Sequence, residues 1–148
     1  MSAEAANVIL NAAKSSPRTE TGGILIGYKY DQDVMVTHAI EVPPSHPRFD
    51  RYVRSSSQAE IFLERFLDAR EPDDPAGYVG EWHSHPGAPG PSAMDRGAIR
   101  ELATSVRGPV ALVIVRRSYT PTFLAIVAIY QRGKTRAVKS VVRVQVHD

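Results

Sequence analysis

The sequence predicts an α/β (α+β) domain: one mixed β-sheet with helices packed against it. Short runs rich in apolar and β-branched residues, the composition of strands, alternate with stretches whose apolar residues recur at helical spacing. The chain has 148 residues, most simply a single domain (1–148) with room for a real core. No repeat, low-complexity tract or linker divides it.

Residues 3–14 place Ala6, Ile9, Leu10 and Ala13 at helical spacing, and Ser15-Ser16-Pro17 breaks that helix. Gly22–Lys29 and Val34–Val42 are apolar and β-branched around Tyr30-Asp31-Gln32-Asp33, which predicts a hairpin. Pro43-Pro44-Ser45-His46-Pro47 is a rigid connector, and Phe49–Arg54 reads as a short edge strand. Ser55–Ser57 can cap a helix running to about Ala69, with Phe62, Phe66 and Leu67 on its buried side. Glu71–Ala76 is an acidic loop containing proline. Tyr78–His83 reads as a strand and Ser92–Val106 as a helix. Val110–Val115, Phe123–Tyr130 and Val138–Val146 complete the set as three more strands.

Composition narrows the chemistry. The hydrophobic content of 43% and the mixed charges fit a globular chain rather than a disordered one. There are no cysteines, so disulfides, thiolate ligands and a cysteine nucleophile are excluded. No run approaches the roughly 20 apolar residues of a membrane span, and the N-terminus lacks a basic signal region. A cytoplasmic location and no membrane partner are therefore expected. From Leu102 to His147 there is no Asp or Glu but there are eight Lys or Arg. Such a stretch is first a solvated basic face and second a docking surface for an acidic partner. Nucleic acid is not expected, because no recognition motif or row of aromatics accompanies the charge.

The most informative stretch is Trp82-His83-Ser84-His85-Pro86 followed by Pro91-Ser92-Ala93-Met94-Asp95. Side chains two apart on a strand share a face, so His83 and His85 project together. Pro86-Gly87-Ala88-Pro89-Gly90-Pro91 is a stiff, turning segment able to bring Asp95 back to them. Two histidines and a carboxylate are a zinc ligand set with an open fourth position, the arrangement of hydrolytic sites. Each part alone has a plainer reading: His-x-His arises by chance, and Ser92-x-x-Asp95 is a capping box with Asp in place of Glu. Capping and ligation are compatible. His38 and His46 have no partners at metal spacing and read as structural or surface residues.

Hydrolysis at such a site needs a general base, and Glu20 is the candidate. It precedes Thr21-Gly22-Gly23-Ile24-Leu25-Ile26-Gly27, at the entrance to a very apolar strand. Partial desolvation there would favour basicity near neutral pH. On position alone, the reading of Glu20 as a surface glutamate in a loop is the stronger one.

Glu20-x-Gly-Gly-x-Leu-x-Gly, His83-x-His85-Pro86 and Ser92-x-x-Asp95, in this order, resemble the JAMM (JAB1/MPN/Mov34) metalloprotease signature over about residues 3–130. The resemblance implies a single MPN/JAB domain with a curved, cytidine-deaminase-like sheet. It implies Zn2+ held by His83, His85 and Asp95, Glu20 as base, and Ser92 hydrogen-bonding the oxyanion. It also implies cleavage after the C-terminal glycine of a ubiquitin-like protein, as deconjugation or precursor processing. The partners expected are a ubiquitin-like protein ending in Gly-Gly, or its conjugate, and E1- or E2-like enzymes. The Gly-Glu-Trp-His-Ser-His-Pro string is most similar to small bacterial JAB proteins, including those of antiphage systems. Processing of a sulfur-carrier protein and a non-catalytic MPN scaffold are the alternatives; the scaffold ranks last, since Glu20 and all three ligands are present.

Glu81 departs from the pattern, where many members carry an aromatic or other apolar residue. By alternation it shares a face with His83 and His85, so it either orients a ligand histidine or faces the substrate tail. Such a tail is expected to add to a sheet edge as it passes the zinc. The short Ser118-Tyr119-Thr120-Pro121 turn leaves no room for the longer insertion of eukaryotic relatives, which implies a minimal enzyme.

Overall fold

The computed structural model describes residues 1–46, 52–87 and 90–145. Its elements are α1 (Ala3–Ser15), β1 (Gly22–Tyr30), β2 (Asp33–Glu41), α2 (Ser56–Asp68), β3 (Gly77–His85), α3 (Ala93–Val106), β4 (Val110–Arg116), β5 (Thr122–Gln131) and β6 (Lys134–Ser140). The six strands form one mixed sheet in the order β2-β1-β3-β4-β5-β6. β3 and β4 are parallel, and the other neighbouring pairs are antiparallel. A parallel pair needs a crossover, and α3 supplies it.

β1 and β4 are near-continuous apolar runs, as strands covered on both faces must be. On one face, α1 lays Ala5, Ile9 and Ala13 against Leu25, Trp82 and Val113. On the other, α3 sets Ile99 and Ala103 on Leu112, Ile114 and Ile126. Beside it, α2 packs Ala59, Phe62 and Phe66 on Ile24, Ile26 and Val42. Leu67, expected with them, is half-buried, and Leu63 joins the cluster. Each helix starts at a serine whose hydroxyl accepts a first-turn N–H: Ser2, Ser55 and Ser92.

The register of β3 departs from simple alternation. Leu25 faces Gly80 but Ile26 faces Tyr78, so Val79 is an extra residue on β3. Gly80 has φ 155°, and a Cβ there would collide with the Ala111 carbonyl of β4. Glycine is required by both conditions. The bulge turns Val79 and Trp82, three residues apart, to the same α1 face. It likewise brings Tyr78 round to Glu81, which strict alternation forbids.

Two expectations change. The last strand is Lys134–Ser140 rather than Val138–Val146. A two-residue turn at Arg132 and Gly133, both at positive φ, closes the β5–β6 hairpin and starts pairing at Gln131 and Lys134. Past Ser140 the chain leaves the sheet, with Val141 79% exposed, and Gln145 makes one parallel bridge to Ser2. Val146 lies outside the described residues. The Phe49–Arg54 strand is visible only as a bridge between Arg54 and Pro44; residues 49–51 also lie outside. In addition, the sheet edges are β2 and β6, while the ligand strand β3 is paired on both sides. A substrate tail therefore cannot add to β3.

Candidate metal centre

β3 ends with His83 and His85 on the face shared by α2 and α3, and their rings stack with centroids 4.8 Å apart. Their Nε2 atoms are 3.0 Å apart. The chain then returns, and Ser92 caps α3 so that Asp95 falls in its first turn. The capping box is complete. Ser92 Oγ accepts the Asp95 N–H at 3.1 Å, and Asp95 Oδ2 accepts the Ser92 N–H at 2.6 Å and the Ser92 hydroxyl at 2.7 Å. That leaves Asp95 Oδ1 to face His83 Nε2 at 3.3 Å. His85 Nε2 is 3.8 Å from Asp95 Oδ2. Capping thus aims the carboxylate at the histidines instead of competing with that task.

These distances fit one ion. Two ligand atoms about 2.0–2.1 Å from zinc at a tetrahedral angle lie about 3.3 Å apart. His83, His85 and Asp95 form a group whose ligand atoms all lie within 4.8 Å of one another and which could hold a metal ion. Nε2 of His83, Nε2 of His85 and the Asp95 carboxylate converge on one point, and the natural complement of such a ligand set is a cation. Burial pushes the Asp95 carboxyl up, but hydrogen bonds from His83 and Ser92 outweigh it and hold the group well below the usual carboxylate range.

Glu20 reaches this centre from 63 residues upstream of His83. Thr21, next to it, is tied to the ligand strand: its N–H donates to Ser84 Oγ at 3.0 Å, and its carbonyl accepts the Ser84 N–H at 2.8 Å. Ser84 points away from the two histidines and is fully buried. The residue between the ligands thus anchors the base segment. Glu20 Oε1 comes to 4.0 Å from His85 Nε2, while Oε2 accepts the Tyr52 N–H at 2.7 Å. Arg117, just past β4, buttresses the same loop. Its guanidinium donates to the carbonyls of Ala13 and Ser16 and, at 3.1 Å, to that of Thr19. Its backbone N–H donates to the His85 carbonyl at 3.1 Å. Burial lowers the Arg117 pKa, and the nearby Glu20 charge opposes that shift.

One cleft of about 1150 Å³ is lined by Glu20, His83, His85, Ser92 and Asp95, and also by Glu81. The structure thus brings every site residue named from the sequence to one place. Glu81 Oε1 accepts from Arg54 Nε at 2.7 Å and from the Tyr78 hydroxyl at 3.2 Å. Burial, then the Glu81 charge, raise the Tyr78 hydroxyl. Tyr52, Arg54, Ser84 and Arg117 were not identified from the sequence. Ser84 alone carried a signal: alternation places it opposite the histidines, on a covered face.

A family model described as prokaryotic homologs of the JAB domain matches residues 2–129. The chain belongs to this family. The match stops before β6, so the basic last strand lies outside the matched JAB region. The chain shares its fold with a solved structure, the solution structure of protein DSY2949 from Desulfitobacterium hafniense. The two align with a TM-score of 0.67 at 18% identity, covering 99% of this chain and 94% of that one. No curated protein matches the chain. Among the described residues of this JAB domain, no helix is long and apolar enough to cross a membrane.

Proposed function

We propose that this JAB-domain protein is a zinc-dependent peptidase that cleaves after the C-terminal glycine of a ubiquitin-like protein. The released group is a lysine amine or the amino terminus of a following peptide. The observation that carries this reading is the three-ligand cluster with a fourth, non-ligating carboxylate beside it: Glu20 Oε1 lies 4.0 Å from His85 Nε2. A purely structural site has no need of that carboxylate.

His83, His85 and Asp95 would hold the zinc, which when bound would supply Lewis acidity to polarise a carbonyl and lower the pKa of water toward about 7. Glu20 takes the attacking water's proton through Oε1, the oxygen that Tyr52 leaves free. As the C–N bond breaks, Glu20 delivers that proton to the departing amine, so water and amide become carboxylic acid and amine, which ionise to carboxylate and ammonium. The Ser92 hydroxyl turns from Asp95 Oδ2 toward the developing oxyanion. Asp95 tolerates that switch because the Ser92 backbone N–H stays on Oδ2. A tail ending in glycine brings its backbone close to these groups because it has no side chain there.

The test is incubation with fusions of candidate ubiquitin-like proteins carrying a residue or peptide after Gly-Gly, with and without chelator, read by intact mass. Cleavage after Gly-Gly that chelator abolishes and zinc restores supports the reading. Cleavage unaffected by chelator overturns it.

A further inference from the structure

The segment 52–54 forms one wall of the cleft and touches the reacting groups at its first residue. The Tyr52 N–H donates to Glu20 Oε2 at 2.7 Å. A charge-assisted bond of this kind is short and directional, so it fixes which carboxylate oxygen remains for chemistry. The position of that N–H is set by the side chain of the same residue. The Tyr52 ring lies over Gly22, where an added Cβ would fall 2.5 Å from the ring's Cε1. At the far end, the Tyr52 hydroxyl donates to the Val42 carbonyl at 2.6 Å. Val42 in turn donates its N–H to the Gly22 carbonyl at 2.9 Å, closing a loop of contacts around the start of β1. Arg54, two residues on, pins the segment to β3 through Glu81 at 2.7 Å.

We propose that Tyr52 is a positioning residue for Glu20: its ring, seated on Gly22 and anchored on Val42, holds its own backbone N–H against Oε2 and so turns Oε1 toward the metal cluster. The segment acts through its backbone. The chemistry of the 52 side chain is spent on seating the ring, and Gly22 is the place where β1 makes room for it. A carboxylate with both oxygens free would rotate about its last bond and present the reacting oxygen only part of the time. The inference rests on the peptidase reading for its kinetic arm alone; the structural arm stands without it.

The experiment uses the full-length, zinc-loaded protein with Tyr52→Ala, Tyr52→Phe and Glu20→Ala. Amide hydrogen exchange at residue 52, followed by NMR, needs no substrate and is read first. Wild type is expected to protect this amide, and both Glu20→Ala and Tyr52→Ala to lose roughly tenfold or more of that protection. Tyr52→Phe, which keeps the ring on Gly22, falls between. Zinc affinity, measured by competition with a chromophoric chelator, is expected to change by less than the roughly tenfold that disturbing a ligand's own partner costs. On a Gly-Gly fusion that wild type cleaves, Tyr52→Ala lowers kcat about 10- to 100-fold with KM nearly constant. An unprotected wild-type amide, or one unchanged by Glu20→Ala, overturns the inference, as does wild-type kcat in Tyr52→Ala. If Tyr52→Ala does not fold, Tyr52→Phe decides by the same readouts. If wild type cleaves no fusion, the peptidase reading fails while the exchange result still decides how Glu20 is held.

Discussion

Replacing Ser84 by alanine removes one oxygen from a fully buried position between the two ligand histidines. That oxygen accepts the N–H of Thr21, itself 6% exposed, so the variant leaves a buried donor with no side chain to receive it. An orphaned buried donor costs about 1–3 kcal/mol, and the lost volume adds little because only one small atom goes. For a domain of this size that corresponds to a fall in Tm of roughly 3–10 °C. Urea and thermal unfolding of the metal-free protein measure it without interference from ligand binding. Ser15→Ala is the control: its hydroxyl bonds the Asn11 carbonyl on the exposed side of α1 and should change stability by less than about 0.5 kcal/mol. The loss in Ser84→Ala should also loosen Glu20, lowering kcat while zinc stoichiometry holds. Ser84→Ala within about 0.5 kcal/mol of wild type would refute the idea that this hydroxyl ties the base segment to the ligand strand.

Ser92→Ala should lower kcat on the order of 10²–10³-fold if the hydroxyl meets the oxyanion, whereas loss of the cap alone costs about 0.5–2 kcal/mol of stability. Steady-state kinetics beside unfolding curves separate the two, and wild-type kcat would remove Ser92 from the reaction. Arg117→Lys keeps the charge but loses the fork that serves Ala13, Ser16 and Thr19, so Tm should fall despite conserved charge; an unchanged Tm would show the fork to be dispensable. The Asp95 carboxyl, held below the ordinary range when folded, favours the ionised native state. In metal-free protein its contribution is therefore complete above the unfolded carboxyl value near ~3.9 and is lost as pH falls toward the folded value. Urea unfolding between about pH 5 and 2, the upper part of that window, should show Asp95→Asn losing less stability with acid than wild type; parallel curves would contradict the assignment.

Much of the site was legible because it depends on local periodicity. Alternation alone puts His83 and His85 on one face, and the serine-to-aspartate spacing alone puts Asp95 in a first helical turn. The order of strands and helices followed from the same patterns. Geometry that depends on register was not legible. The Gly80 bulge, which joins Tyr78 to Glu81, needs a positive φ and the carbonyl of a strand thirty residues later. The start of β6 was misplaced because the apolar Val138–Val146 run outweighed a two-residue turn at Arg132-Gly133 that sets the pairing. Tyr52 reads as an ordinary residue of a short edge strand, and Arg117 as one just past a strand end. Their roles come from carbonyls and a carboxylate that only the closed sheet brings near them.

The central claim is that the three-ligand cluster is catalytic and that Glu20 is its base rather than a fourth ligand. Zinc content and cleavage measured on the same preparation of Glu20→Ala test it most directly. Glu20→Ala is expected to bind one zinc per chain, as wild type is, and to lose chelator-sensitive cleavage after Gly-Gly. Full cleavage by Glu20→Ala, or loss of its zinc, would contradict it.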